Sequence, residues 1–232
     1  MSTKRIIALT CGTALVAVAA LGAILVLRST SGPKRAALAT REQAMEALGT
    51  CIAKLGPQCK VLVLCNPFTK AAGYLDDTSR YERSAVRGLR KGLGRHIPLT
   101  EVIPEIRPEY FNDRQSLILL PDCRTPLSFA IQPASVDHLA EEHPECSVIV
   151  SLIGLPAGVE TLKVWSDKDP RCFALLDPDL RVLGPPAAVV EGFRHGKLLA
   201  IVTQDADSGN LLIVTRDNVE AVLERQPKAL GY

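Results

Sequence analysis

Aromatic side chains are scarce in this chain: five Phe, four Tyr and one Trp make up 4% of 232 residues. Single-strand nucleic-acid binders stack bases on aromatic rings along a basic groove. Too few rings are present here, and residues 36–232 hold 22 of the 27 cations against all 25 acids, a net of −3. Nucleic acid is therefore not expected as a partner. Glycine and proline, at 16 each, are too few for a collagenous or low-complexity chain, and no internal repeat is present. No cysteine pair has CxxC or zinc-ligand spacing, no serine sits in GxSxG, and His138 and His143, five apart, fall on different helix faces. No metal, cofactor or catalytic residue is expected from these patterns.

Apolar runs, by contrast, are plentiful. Ile6 to Leu27 is an uncharged stretch of 22 residues bounded by Lys4-Arg5 and Arg28. As a helix it would measure about 33 Å, enough for a bilayer core of about 30 Å. Residues 1–28 read as an uncleaved signal anchor; the competing reading is a cleavable signal peptide ending near Ala17-Val18-Ala19. Cations are nearly balanced across the run, and the short basic amino tail favours a body outside the cytoplasm, periplasmic in a bacterium.

Residues 29–58 comprise a polar linker and an amphipathic helix over 36–55. Its apolar seam is Leu38, Met45, Leu48, Ile52 and Leu55, and Arg41 occupies one seam position. From residue 59 to 232 strands and helices alternate. Strands are expected at 61–65, 101–106 (an edge, because of Pro104), 116–120, 146–153 and 173–176, with a hairpin at 198–203 and 211–215. Helices are expected from Ser79, whose spacing to Glu82 suits a capping box, over 135–142 with Ser135 as N-cap, through Val159, Leu162 and Trp165, over 186–194, and after an N-cap at Asp217. Tyr81, Ala85, Leu89 and Leu93 share one face of the first. This pattern predicts an α/β domain: a mostly parallel, doubly wound sheet forming a single lobe, with a C-terminal antiparallel hairpin, preceded by a transmembrane helix and an amphipathic helix.

Three stretches carry a resemblance: Cys146 to Ala157 (CSVIVSLIGLPA), Phe173 to Asp177 (FALLD) and Glu191 to Val202 (EGFRHGKLLAIV). With Val61 to Asn66 and the helix at 79–94 as a first strand–helix unit, residues 60–203 resemble one lobe of type 1 periplasmic solute-binding proteins. The resemblance implies a solute-binding-like module. Such proteins hold ligand between two lobes, and this chain has room for one.

In open α/β sheets ligands sit beyond the carboxyl ends of the strands. That rule gathers Asn66, Thr69, Asp122, Gly154 and Asp177 as candidate ligand residues. Arg80, Arg83, Arg87, Arg90 and Lys91 form one cationic stripe on a helix whose only acid is Glu82. The stripe reads either as a solvated face or as a dock for an acidic partner or anionic lipid. Cys51, Cys59, Cys65, Cys123, Cys146 and Cys172 read either as buried thiols or as one or two disulfides. The chain is thus expected to be a membrane-anchored, extracytoplasmic, non-catalytic binding or interaction module, contacting the membrane through 6–27 and taking a small-molecule ligand or a protein partner. The alternatives are a structural subunit of an envelope assembly, self-associating or pairing with other chains through the anchor and helix 36–55, and an enzyme using the strand-end rim.

Overall fold

A computed structural model describes residues 34–69, 76–113, 119–205 and 207–232. The anchor expected at 6–27, and most of the strand expected at 116–120, lie outside the described residues. Among the described residues no helix is long and apolar enough to cross a membrane. The chain divides into two units, Met1–Thr40 and Arg41–Tyr232. Residues 34–53 are helical (α1). In the first unit the Thr40 hydroxyl donates to the Ala36 carbonyl at 3.1 Å.

The second unit is built on one six-stranded sheet. Its strands are β1 (Val61–Leu64), β2 (Leu99–Val102), β3 (Val148–Ser151), β4 (Cys172–Leu176), β5 (Leu198–Gln204) and β6 (Leu211–Val214). Their order is β2-β1-β3-β4-β5-β6, parallel throughout except for the antiparallel β5–β6 pair. β1 and β3 are buried at every position, as strands covered on both faces are; all of β1 is apolar, and in β3 only Ser151 is polar. On one face Val61, Val63, Val148 and Val150 meet Met45, Leu48 and Ile52 of α1 and Ala85, Leu89 and Leu93 of α2 (Asp76–Leu93). On the other, Ile149, Phe173, Leu175 and Ile201 meet side chains from α5 (Pro133–Glu142), α6 (Pro186–Arg194) and α7 (Val219–Arg225). Each fully buried Leu, Ile or Met contributes about 1.5–3 kcal/mol. Two short helices, α3 (Pro108–Asn112) and α4 (Leu127–Ala130), complete the set.

α1 and α2 cross at their glycines. A Cβ on Gly88 would overlap the Glu42 carbonyl oxygen, one on Gly92 the Glu46 carbonyl oxygen, and one on Gly49 would lie 2.6 Å from the Leu89 carbonyl oxygen.

Several sequence expectations are corrected. Leu55 lies beyond the end of α1 and is 51% exposed, and Tyr81 is 36% exposed where Ala85, Leu89 and Leu93 are buried. α2 begins at Asp76, so Ser79 is not its N-cap; its hydroxyl instead donates to the Thr69 carbonyl at 3.1 Å. The edge strand falls at Leu99–Val102, earlier than 101–106, because Pro104 cannot extend a ladder. Ser135 lies inside α5, which opens at Pro133 after Gln132, and donates to the Gln132 carbonyl at 2.8 Å. The helix through Val159, Leu162 and Trp165 is two 3-10 turns, Val159–Thr161 and Lys163–Trp165, interrupted where Leu162 is extended (ψ 146°). The last helix is preceded by Asn218 rather than Asp217; the Asn218 side-chain oxygen accepts from the Thr215 N–H at 2.8 Å.

All six cysteines in the described residues carry free thiols, so none of the disulfides that the sequence allowed is formed. Cys65 follows β1 and lies near Glu82, while Cys123 lies in a loop near Asp179. Cys59, Cys146 and Cys172 gather at the amino ends of β1, β3 and β4.

Candidate functional site

The carboxyl-end rim has two halves. In the first, β1 runs into Asn66, whose side-chain oxygen accepts from the Phe68 N–H at 2.9 Å and shapes the 3-10 turn Pro67–Thr69. Glu82, near the end of the second turn of α2, reaches back over this turn. Its Oε2 accepts from the Asn66 N–H at 3.0 Å, and its Oε1 lies 3.3 Å from the Thr69 hydroxyl. Burial pushes the Glu82 carboxyl above the usual range, opposed by the bonds from Asn66, Cys65 and Thr69 and by the charge of Arg41. Asn66 and Thr69 therefore lie on the rim as expected, with their side chains engaged in holding the turn and Glu82.

The second half gathers the ends of β3, β4 and β5. Asp177 leaves β4 in the left-handed region (φ 44°), and Asp122, in a turn, also has a left-handed backbone (φ 53°); they are the two such non-glycine residues among those described. Backbone strain of this kind concentrates at binding sites. The Asp177 Oδ1 accepts from the Thr203 hydroxyl at 2.8 Å and lies 3.5 Å from Arg124, while Oδ2 meets no described residue. Arg124 also donates to the Ala229 carbonyl at 2.8 Å. Asp122 is exposed and acts on Arg181 electrostatically. Gly154 (φ 85°) lets its loop close on Thr125: a Cβ there would stand 2.7 Å from the threonine side chain. Its carbonyl accepts from the Ser151 hydroxyl at 2.6 Å, so its role is a tight connection.

Beneath Asp177 lies Asp179, fully buried. It accepts from the Arg181 guanidinium at 2.6 and 2.9 Å and from the Arg124 N–H at 3.2 Å. Burial alone would raise its carboxyl; the Arg181 and backbone bonds outweigh that and hold it below the usual carboxylate range.

Arg41 joins the two halves. It is half-buried, and burial lowers the pKa of its guanidinium, opposed by the charges of Glu82, Asp177 and Tyr81. Its Nε is shut off from solvent and donates to nothing, and no described residue accepts from its other nitrogens. The charges of Glu82 in one half and Asp177 in the other act on this cation, which is hydrogen-bonded to neither and so keeps unused donors. The signal in the sequence was the arginine standing in the apolar seam of α1. Glu82 was signalled as the lone acid on a cationic helix; Arg124, Thr125, Asp179 and Thr203 lie in loops or at strand ends with no pattern to mark them.

From Thr69 and Glu82 a cavity of about 700 Å³ extends along α2. It brings together Arg83, Arg87, Arg90 and Lys91 of the cationic stripe; Arg80 is exposed on the same helix. Ion pairs within the chain join Arg87 to Glu42 (2.8 Å), Arg90 to Glu101 (2.7 Å) and Lys91 to Glu46 (2.9 Å). Among the described residues no group of histidine, cysteine and carboxylate side chains could hold a metal ion.

No family model matches the chain, and no curated protein matches it. In fold it is similar to periplasmic sugar-binding proteins of ABC transporters. A carbohydrate transporter from Acidothermus cellulolyticus 11B, in complex with myo-inositol, is 12% identical, with 82% of this chain and 62% of that chain covered and a TM-score of 0.49. An arabinose-binding protein from Geobacillus stearothermophilus is 14% identical (78% and 62% covered, TM-score 0.46). A substrate-binding protein of a sugar ABC transport system from Bordetella parapertussis 12822 is 13% identical (78% and 57% covered, TM-score 0.46). The matched region thus spans about three fifths of each of these chains.

Proposed function

We propose that the chain is a membrane-anchored, extracytoplasmic and non-catalytic module that binds a small polar ligand on the carboxyl-end rim of its sheet. The observation that carries this reading is Arg41, whose buried Nε has no acceptor and whose guanidinium stands near the Glu82 and Asp177 carboxylates. Asp177 Oδ2, which accepts from no described residue, offers an acceptor on the same rim. A ligand with neighbouring hydroxyls supplies both an acceptor for Arg41 and a donor for Asp177, which makes a small polyol or monosaccharide the class of choice. The run at 6–27, with cations on both sides, supports the anchor.

Calorimetric titration of the detergent-extracted full chain with a panel of monosaccharides and polyols tests the binding site. At least one should bind, and Arg41→Met should weaken it about tenfold or more, the scale of a charge-assisted hydrogen bond of about 1.5–3 kcal/mol. Absence of binding across the panel, or binding indifferent to Arg41→Met, overturns the reading. Orientation is checked separately by a reporter fused after Tyr232, which should be silent in forms that work only in the cytoplasm.

A further inference from the structure

A second cavity, of about 480 Å³, lies between α6 and the chain that leads into β4. Trp165, the one tryptophan of the chain, lines it together with Glu160, Asp167, Glu191, His195 and Lys197. Lys197 is fixed in place, its ammonium donating to the Val164, Asp169 and Arg171 carbonyls. The two walls meet at His195, the residue that ends α6. Its Nδ1 stands 2.9 Å from Asp167 Oδ1 on the far wall, and its Nε2 stands 3.3 Å from Glu191 Oε2 on its own helix. Among the described residues no other hydrogen bond or ion pair joins residues 159–169 to α6 or His195.

This arrangement suits the imidazolium, which donates from both ring nitrogens. A neutral ring has one N–H, so it sets a lone pair against either Asp167 or Glu191. The charge that draws Asp167 across the cavity is then gone whichever nitrogen keeps the proton. A helix carboxyl end favours the cation as well. The bond to Asp167 and its charge, with a smaller part from Glu191, hold the His195 pKa above the ordinary 6.5. Arg194 of α6 shares Glu191 at 2.8 Å and reaches Glu220 of α7 at 2.9 Å. Glu160 and Lys197 face the same cavity from the turn Val159–Thr161 and from the start of β5. An exposed pair such as His195–Asp167 is weak, which suits a contact made and broken near neutral pH.

We propose that His195 is a pH-operated latch on this cavity. As the imidazolium it pins the loop at 166–169 to the end of α6 and narrows the opening; as the neutral ring it lets the loop go. The closed form binds the proton more tightly, so the latch is complete below pH 6.5 and is released as pH rises through the raised value. None of these residues belongs to the ligand rim, and the inference is independent of it.

Acrylamide quenching of tryptophan fluorescence in the detergent-extracted full chain tests it, because Trp165 lines the cavity and gives the whole signal. The bimolecular quenching constant, taken from the Stern–Volmer slope and the unquenched lifetime, is free of direct quenching of the indole by a nearby imidazolium. Read from pH 5.5 to 8.5, it should step upward with a midpoint above 6.5. His195→Gln should abolish the step and leave Trp165 as accessible at pH 5.5 as it is in the natural chain at pH 8.5. Asp167→Asn, which keeps the histidine but removes its partner on the far wall, should abolish the step as well. Glu191→Gln should keep the step and lower its midpoint. A quenching constant indifferent to pH, a step that survives His195→Gln or Asp167→Asn, or a midpoint at or below 6.5 would each overturn the latch.

Discussion

Arg41 carries a buried donor that the fold leaves without an acceptor. A buried N–H without an acceptor costs about 1–3 kcal/mol, so Arg41→Met, which fills the same space without the polar group, should leave the melting temperature unchanged or raise it. A clear loss of stability would mean that the guanidinium has a structural bond after all. Cysteine tells the opposite story at the amino ends of the strands. Burial pushes the Cys172 thiol up from 9 to about 11, and it also raises Cys146. The thiolate is the reactive form, so both should alkylate with iodoacetamide at pH 8 far more slowly in the folded chain than after denaturation. Without reductant, the denatured chain should show all six described thiols by mass spectrometry. Rapid labelling of Cys172 in the folded chain would count against its buried setting.

At the scale of elements, what the sequence shows best is what repeats. β1 and β4 are uninterrupted apolar runs, β3 is apolar up to its last residue, Ser151, and β5–β6 is a hairpin around a polar turn; these needed only the period of the pattern. Element ends depended on particular side chains competing for backbone groups, which pattern does not reveal. Glu82 fits a capping box by spacing, yet its carboxylate caps the Asn66 turn because α2 starts earlier. Of the rim, Asn66, Thr69, Gly154 and Asp177 were legible because strand ends are countable. Arg41 and Glu82 were visible only as misfits in otherwise regular helices, and the cationic stripe gave no sign that Glu42, Glu46 and Glu101 would meet it. The α1–α2 crossing was equally silent in the apolar pattern, since its cause is the absence of side chains at Gly49, Gly88 and Gly92. Gly88→Ala and Gly92→Ala should each cost about 1–3 kcal/mol in urea unfolding, because the clash is with a neighbouring helix backbone that cannot turn aside. An effect below 1 kcal/mol would show that the two helices separate easily.

Across the whole molecule, two short Asp-x-Arg motifs bracket β4, Asp169-Pro-Arg171 before it and Asp179-Leu-Arg181 after it. Arg171 grips Asp169 at 2.6 Å and donates to the Ala140 carbonyl, while the buried Lys197 donates to the Asp169 carbonyl. Arg181 grips Asp179 at 2.6 Å, and Arg124 ties that carboxylate to the loop before α4. The same strand is thus clamped at both rims to elements far apart in sequence. Burial works against ionisation at both aspartates, yet the arginine bonds prevail and both folded pKa values lie below the ordinary 3.8. A depressed folded value means that the unfolded chain binds the proton more readily. The stabilisation is therefore complete above about pH 5 and is lost as pH falls through 3.8 toward the folded values. Asp179→Asn should lower stability at pH 7 and flatten the acid limb of a stability-against-pH curve, with Asp169→Asn doing so more weakly, since its carboxylate retains more contact with solvent. Chemical denaturation between pH 3 and pH 7 measures this, and an acid limb as steep in both variants as in the natural chain would show that the clamps do not govern acid unfolding.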